Sequence, residues 1–380
     1  MLTTPGSQTA LVSPSARGAF PISLIWNSLD FLDRLTLAYL ALVNLLIFSF
    51  PSNLRHPALF FSLHLLVACG VVSLAWVSSR SPSPLLRFVR HASPLLLFLI
   101  FFEELGALVH LLHAGWFDSV LIAFDYTLFG VHPTVWLQRF SSPMLNDFLQ
   151  FAYFTYYLYP LLLGTVLFTR QRFSELRFLM TASALAYYPG YLISILFPIE
   201  GPFHALASLH TVPLHGGPIT SLIDFIEHFG RVHGAAFPSA HVSGATVSLL
   251  CAWYFFSAPS APKTEAAGSL HPAARFSGAT SSPSAPVVSA APDANPSPFA
   301  LPWFQISNLK FQISCSLQHM RATRILFWLL LPFYLAMLLA TVFGRYHYFA
   351  DVLAGLFIGL LGFLLARRFS LPPPQKCAGS

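Results

Sequence analysis

Apolar runs of membrane-spanning length dominate this chain of 380 residues. A transmembrane helix needs about 20 mostly apolar residues, and eight stretches reach or approach that length. These predicted spans lie at about 35–50, 59–77, 94–113, 148–169, 176–197, 238–256, 325–343 and 350–366. Charged residues make up only 9% of the chain, whereas a soluble domain carries about 25%. The sequence therefore predicts an all-α polytopic membrane protein, a helical bundle with about eight transmembrane helices.

The basic residues are distributed unevenly among the segments that join these spans. If the N-terminus is cytoplasmic, only four of the 20 lysines and arginines fall on the outer side: Arg55, Arg139, Arg231 and Arg345. Because lysine and arginine concentrate in cytoplasmic loops of membrane proteins, we expect both termini to be cytoplasmic. The net charge of +6 reflects bases clustered between apolar runs, so we expect no nucleic-acid partner.

Three segments outside the spans have distinct compositions. Residues 257–322 are rich in Ser, Pro and Ala and predict a disordered cytoplasmic linker. Residues 114–147 are aromatic but too polar to span, which predicts a helix lying at the outer interface. Residues 198–237 form a second outer segment. Both outer segments either pack at the interface or contact substrate directly, and the sequence leaves these alternatives open.

Neither the cysteines nor the scattered histidines form a recognisable pattern. The cysteines show no pairing or zinc-binding spacing: Cys69, Cys251, Cys315 and Cys377. The outer histidines that belong to no motif also fit no metal cluster: His204, His210, His215, His228 and His233. We therefore expect these histidines in solvated loops, and we expect no metal and no cofactor.

The stretch FPSAHVSG at 237–244 stands where a polar segment meets the sixth predicted span. Proline is favoured at the first helical position because its missing N–H costs nothing there. The free N–H groups that follow, near Ser239 and Ala240, carry the positive end of the helix dipole and favour an anion. Ser239 adds a hydroxyl and His241 adds a proton donor. This helix start is suited to hold a phosphate and to protonate its leaving oxygen.

A second motif, GRYHYFADVLAG at 344–355, precedes the eighth predicted span. His347 and Asp351 are four residues apart and share one face once the helix begins. Asp351 can then accept a proton from one imidazole nitrogen and leave the other facing the substrate. The predicted topology puts both motifs at the outer start of a span. His241 and His347 are therefore expected at the same depth on the same side of the membrane.

Together, the two motifs resemble the phosphatidic acid phosphatase type 2 superfamily, which includes the vanadium haloperoxidases. PSAH at 238–241 is similar to the Pro-Ser-Gly-His motif of that family. RYHYFADVLAG is similar to its last motif, in which His, three residues and Asp precede a Leu-Ala-Gly helix. FPIEGPF at 197–203 is similar to the Pro-x-x-Gly-Pro segment of a membrane branch that includes inositolphosphotransferases of the inositol phosphorylceramide synthase type. The resemblance covers about residues 120–256 and 325–366.

What the resemblance implies is a six-helix core and a metal-independent phosphoryl transfer. His347 would be the nucleophile that forms a phosphohistidine, and Asp351 would orient it. His241 would be the general acid and then the general base. Ser239 and the N–H of Ala240 would hold phosphate oxygens. The substrate would be a lipid phosphate in the membrane (a phospholipid, polyprenyl pyrophosphate or sphingolipid headgroup), with water or an alcohol as acceptor.

Two basic positions of the family pattern are absent from this sequence. Thr341 stands six residues before His347, where the family has an arginine. The Lys-x6-Arg-Pro motif of the family also has no counterpart. Since Arg231 and Arg345 are the only bases in the outer motif region, we assign phosphate clamping to them.

These expectations divide the chain into four parts. The N-terminal transmembrane helices occupy 1–113, the catalytic core 114–256 and 323–368, the linker 257–322 and the C-terminal tail 369–380. We expect an integral protein of the bacterial inner (plasma) membrane, with its active site on the outer face.

Two other classes of function stay open at this point. An intramembrane serine hydrolase would use Ser239 as nucleophile and His347 with Asp351 as the base pair, which leaves His241 without a task. A non-enzymatic transporter would use Glu103 and Glu104, which lie inside the third predicted span. Carboxylates are costly there and are commonly functional. In an enzyme, we expect the two glutamates to have a structural or substrate-cavity role.

Overall fold

The computed structural model describes residues 22–81, 83–230, 232–257 and 324–370, and most of them are helical. The α-helices are α1 (Ile22–Ser28), α2 (Phe31–Ser49), α3 (Pro57–Ser78), α4 (Pro84–Leu108), α5 (Asp118–Phe129), α6 (Pro133–Leu137), α7 (Pro143–Phe154), α8 (Leu158–Thr169), α9 (Phe173–Leu196), α10 (Pro202–Ala205), α11 (Pro218–Gly230), α12 (Ala240–Ser257), α13 (Arg324–Phe343) and α14 (Phe349–Phe369). Short 3-10 helices lie at Pro51–Asn53, Gln138–Phe140, Thr155–Tyr157 and Ala207–Leu209. The predicted all-α fold is confirmed; the predicted linker lies outside the described residues.

Seven helices of the described ranges are long and apolar enough to cross a membrane. They are α2, α3, α4, α7 continued by α8, α9, α13 and α14. The largest difference from the sequence prediction is in α4, which begins at Pro84 instead of near residue 94. The bases Arg87 and Arg90 lie within its first two turns, where Arg90 is paired with Asp33. An arginine whose charge is compensated by an ion pair can lie within a transmembrane helix, although its charge alone would disfavour that position.

The sixth predicted span became α12, which is not among these seven helices. This helix packs against α9 and α14, and its polar residues Ser243, Thr246 and Ser248 are buried. A helix enclosed by protein does not need the uniformly apolar surface that lipid requires. The count rises to eight only if α5 and the segment Pro133–Phe140 are taken as one broken span.

The outer segment 114–147 contains two helices instead of the single interfacial helix that we predicted. The segments Asp118–Phe129 and Pro133–Phe140 meet at a bend of 61°. Gly130 ends α5 in the left-handed conformation, with φ of 70°, and Pro133 occupies the first turn of α6. Both are ordinary signals for the end and the start of a helix.

The two motif-bearing helices, α12 and α14, approach each other closely through glycines. A Cβ atom on Gly355 would lie 2.7 Å from the carbonyl oxygen of Ser239, and one on Gly359 would lie 2.7 Å from that of Ser243. Small residues let helix backbones come together in this way. The first turn of α14 therefore lies directly against the start of α12.

The opposite ends of α9 define the two ends of the bundle. Near its start, Arg177 is paired with Asp30 and Asp33 at the start of α2. Near its end, the Ser194 hydroxyl donates to the Phe237 carbonyl, 2.9 Å away, just before α12 begins. The 24 residues of α9 span about 36 Å at 1.5 Å per residue. The two motifs therefore lie at the far end of the bundle from the Arg177 ion pairs.

Candidate active site

The structure brings His241 and His347 into direct contact. Nδ1 of His241 lies 3.2 Å from Nε2 of His347, although the residues are 106 positions apart. His241 belongs to the first turn of α12, and His347 lies two residues before α14. The close approach of these helices accounts for the meeting of the two rings.

Asp351 lies on the other side of the His347 ring. Its Oδ2 is 3.3 Å from Nδ1 of His347 and accepts the backbone N–H of Tyr348 at 2.7 Å. Because α14 starts only at Phe349, the two side chains do not share a helix face as the spacing suggested. Instead, the carboxylate in the first turn of α14 reaches back to the residues that precede the helix. The 3.3 Å contact does not meet hydrogen-bond geometry, but a small rotation of either side chain would let Asp351 hold the proton on Nδ1 and leave the Nε2 lone pair toward His241.

Ser239 is the N-cap of α12. Its hydroxyl accepts the N–H of Val242 at 3.3 Å, and its own N–H donates to the Asp351 carbonyl at 3.2 Å. Pro238 therefore precedes the cap, whereas the sequence placed it in the first helical position. The Ser239 side chain is fully buried and does not line the cavity described below. In this structure the hydroxyl caps α12 within the first motif, and only the N–H of Ser239 joins the two motifs. Phosphate binding by Ser239 stays a prediction.

Two aspartates of α5 hold the second motif in place. Asp125 accepts the backbone N–H groups of Phe349 and Ala350, at 2.8 and 3.0 Å, and so caps α14. Asp118 accepts the Tyr348 hydroxyl at 2.8 Å. Both aspartates are buried. We did not predict these roles, although their spacing of seven residues, two helical turns, places both carboxylates on one face of α5.

Tyr153 extends the contacts of the histidines on the other side. Its hydroxyl lies 2.9 Å from Nε2 of His241, and its ring stacks on Tyr346 with centroids 4.1 Å apart. Tyr156 places the edge of its ring against His241. Our sequence reasoning missed both tyrosines. The only signal was the aromatic run AYFTYYLY at 152–159, which a lipid-facing helix would also show.

A cavity of about 120 Å³ opens onto the two histidines. Its lining includes His241, His347, Tyr153, Tyr346 and Gly201. Gly201 has φ of 100°, and a Cβ there would lie 3.4 Å from both the Ala236 Cβ and the Tyr346 carbonyl oxygen. The Pro-x-x-Gly-Pro segment thus approaches both motifs closely. The cavity can bring a substrate to Nε2 of His347.

Residues 176–372 match the sequence model of the PAP2 superfamily. The matched region includes both histidine motifs and more than half of the chain. This chain belongs to the PAP2 superfamily. No curated protein and no solved structure matches it. PAP2 proteins are phosphatases or phosphotransferases, and the family indicates lipid phosphates as the substrates.

The positions where the PAP2 pattern has bases are occupied differently here. Thr341 is buried, and its carbonyl accepts the N–H of His347 at 3.0 Å. The Arg345 guanidinium donates to the Val212 carbonyl, and its pKa is lowered by burial. Arg345 does not line the cavity, and Arg231 lies outside the described residues. Phosphate clamping by these two arginines therefore stays a prediction.

Three outer residues come together at the PAP2 cavity, and two of them are histidines that we expected in solvated loops. The ligand atoms of Glu200, His204 and His233 all lie within 4.8 Å of one another. All three line the cavity that holds His241 and His347. Two of the histidines that the sequence assigned to solvated loops thus have a shared position at the site.

The two glutamates of α4 point in different directions. Glu104 is buried, and its Oε2 lies 3.1 Å from Nε2 of His64 on α3. Nδ1 of His64 lies 2.8 Å from the side-chain oxygen of Asn44 on α2. Glu103 is exposed, five residues before the end of α4. Neither glutamate lines the PAP2 cavity, and Glu104 joins three helices as a structural residue does.

Proposed function

We propose that this protein cleaves a phosphate ester of a membrane lipid through a phosphohistidine on His347. The observation that carries the proposal is the chain of contacts from His241 through His347 to Asp351 at one cavity. The PAP2 family membership supports the reaction class. The covalent intermediate divides one difficult displacement into two easier ones.

In the first step, Nε2 of His347 would attack phosphorus. The P–N bond forms as the P–O bond to the lipid alcohol breaks, and His241 donates a proton to the departing oxygen. Asp351, 3.3 Å from Nδ1, stabilises the positive charge that develops on the His347 ring. General acid catalysis of this kind contributes about 10²–10⁴-fold.

In the second step, His241 would remove a proton from the acceptor hydroxyl. The new P–O bond forms, the P–N bond breaks and His347 is restored. Tyr153, whose hydroxyl lies 2.9 Å from Nε2 of His241, orients this ring. Since 3.2 Å between the two imidazole nitrogens leaves no room for phosphorus between them, substrate entry has to move the rings apart.

The predicted phosphate ligands are Ser239, Ala240, Arg345 and Arg231. The N–H of Ala240 lies in the first turn of α12, where N–H groups lack partners within the helix. The Ser239 hydroxyl accepts an N–H and can still donate to a phosphate oxygen, and Arg345 has N–H groups besides the one that binds Val212. Because Ser239 is fully buried and Arg345 does not line the cavity, both would have to approach the phosphate as the histidine rings move.

The substrate belongs to the phospholipids, polyprenyl pyrophosphates or sphingolipid headgroup donors. FPIEGPF at 197–203 supports the inositolphosphotransferase-like branch, in which an alcohol instead of water accepts the phosphoryl group. The distribution of Lys and Arg supports a site on the outer face and both termini in the cytoplasm. A bacterial inner membrane as the location is part of the proposal.

The test uses the purified full-length protein in detergent and a panel of lipid phosphates, each with and without added inositol. We expect phosphate release or transfer that persists in EDTA at saturating substrate. Vanadate should inhibit it, because vanadate adopts the five-coordinate geometry of a phosphoryl group in transfer.

Two variants distinguish turnover at this active site from turnover by a contaminating enzyme. His347→Ala should lose turnover, whereas His215→Ala, an exposed histidine outside the cavity, should keep it. Turnover that survives His347→Ala, or that stops completely in EDTA at saturating substrate, would contradict the proposed transfer.

A further inference from the structure

Glu200, His204 and His233 form a compact group of metal-binding side chains. Their ligand atoms lie within 4.8 Å of one another, and Nε2 of His233 is 3.0 Å from Oε1 of Glu200. Two imidazoles and one carboxylate are a donor set that binds zinc and keeps a fourth position open. The group therefore has the composition of a zinc site with room for an outside ligand.

The backbone that carries these residues is held firmly. The Asp118 carboxylate accepts the N–H groups of Glu200 and Gly201, at 2.8 and 2.9 Å. A parallel bridge joins Ile199 to Ala235, which ties the segment before Glu200 to the segment after His233. The Trp116 ring contacts the His233 ring, with centroids 5.1 Å apart. These contacts thus hold the two segments that supply the ligands in place without any ion.

The present separations are close to those of a metal site. Tetrahedral zinc with bonds of about 2.1 Å places its ligand atoms about 3.4 Å apart. His204 and His233 are exposed, so a change of side-chain rotamer can shorten the longest separation without repacking the core. The Glu200–His233 separation of 3.0 Å is already close to this value.

Among the described residues, the lining of the cavity that contains this group carries no permanent positive charge. No Lys or Arg of the described ranges lines it, whereas Glu200 contributes a carboxylate. An anionic phosphate in such a cavity needs a positive partner, because burying an unpaired charge is costly. In the proposed reaction His241 gives its proton to the departing oxygen, so it supplies no lasting positive charge.

We propose that Glu200, His204 and His233 bind one divalent ion of the zinc class at the rim of the cavity. Open positions on the ion bind phosphate oxygens of the substrate and place positive charge beside them, on the side of the cavity that Glu200 lines. The substrate half of this inference rests on the proposed function. The nucleophile and the acid–base residues remain His347 and His241, so the ion contributes to substrate binding and not to the covalent step.

Metal binding is measured directly on the full-length protein in detergent. After chelation and dialysis, zinc and cobalt are titrated calorimetrically, and the cobalt absorption spectrum reports the coordination geometry. We expect one ion per chain. Glu200→Gln and His233→Ala should each weaken binding by about 100-fold or more, since even indirect ligand partners contribute 10–100-fold. His215→Ala should bind like the wild type. Equal zinc binding by wild type, Glu200→Gln and His233→Ala overturns the site.

A kinetic measurement separates this proposal from the proposed function. Removing the ion should raise KM severalfold and leave kcat unchanged, which is the signature of lost substrate binding. An unchanged KM overturns the substrate-binding role. If zinc binds with the expected ligand dependence but no lipid is cleaved, the proposed function fails and the metal site stands. If cleavage requires His347 but zinc binding is unchanged by Glu200→Gln and His233→Ala, the metal proposal alone fails.

Discussion

The ionisable side chains near the two ends of α9 are arranged in opposite ways. Near its start, Arg177 and Arg90 are paired with Asp30 and Asp33, so that opposite charges satisfy one another. Beyond its end, the histidines contact each other at a cavity that no Lys or Arg of the described residues lines. The first end contains arginines and aspartates in ion pairs. The second contains imidazole rings that line a cavity and can bind a ligand.

The residues that stabilise the fold and the residues proposed for catalysis therefore lie at different ends of α9. The ion pairs join α2, α4 and α9, and removing one partner would leave a charge without compensation. The imidazoles can each gain or lose a proton near neutral pH and are open to a ligand. Variants at the first end should therefore change folding, and variants at the second should change turnover.

The largest effect is expected for His347→Ala. The variant removes the nucleophile, so turnover should fall by at least about 10³-fold. Because His347 is buried against Asp351, the variant should also lose some stability, so turnover is compared per folded molecule. Lipid-phosphate turnover and thermal unfolding in detergent measure the two quantities on the same preparation. If the variant lost turnover only because it no longer folded, the proposed difference between the two ends of α9 would be contradicted.

Arg177→Met should have the opposite effect. The variant leaves Asp30 and Asp33 to share Arg90, and the uncompensated carboxylate should lower the free energy of unfolding by up to about 3 kcal/mol. Turnover per folded molecule should be unchanged. Arg139→Met is the control, since Arg139 is exposed and its loss should cost less than about 0.5 kcal/mol. The comparison breaks if Arg177→Met is as stable as Arg139→Met.

Tyr153→Phe tests the hydroxyl that contacts His241. We expect kcat to fall about tenfold, because a hydrogen bond to a catalytic ring is lost while the packing is kept. Tyr159→Phe also removes a buried hydroxyl, but that hydroxyl faces the Leu330 carbonyl, so kcat should be kept. Steady-state kinetics of both variants measure the difference. An equal effect of the two substitutions would show that the loss is one of general packing.

The smallest effect is a pH dependence of stability at the cavity end. Burial, together with nearby Arg345, lowers the pKa of His210 to about 4 from 6.5. The unfolded chain takes up this proton near pH 6.5 and the folded chain only near pH 4, so stability is lost as the pH falls between these values. His210 is only half-buried, and screening keeps the loss to about 1 kcal/mol or less. His210→Gln should flatten the unfolding temperature over this range. Parallel curves for wild type and variant would contradict the assignment.

The sequence predicted the parts of this molecule that local pattern determines. Apolar length located the spans, and the helix boundaries differ from the prediction by a few residues in most of them. The two motifs predicted that His241 and His347 would share one end of the bundle, because each stands at the start of a helix that begins on the same side. The contact of their rings agrees with that prediction.

The parts that we missed depend on contacts between distant segments. Asp118 binds the hydroxyl of Tyr348, 230 residues away, and no local period indicates that partner. Glu200 and His233 meet because a bridge and Asp118 hold two loops together, whereas their spacing resembles no metal motif. The α12 span was predicted from hydropathy, but its enclosure by α9 and α14 is a property of the packed bundle.

The central claim is that His347 carries the phosphoryl group during turnover. The most direct measurement incubates the full-length protein with a lipid labelled at the reacting phosphate, quenches in alkaline detergent and locates the label by mass spectrometry. The account predicts label on the His347 ring, stable to alkali and labile to acid, and absent from His347→Ala. Label on Ser239, or turnover by His347→Ala without any labelled histidine, would contradict it.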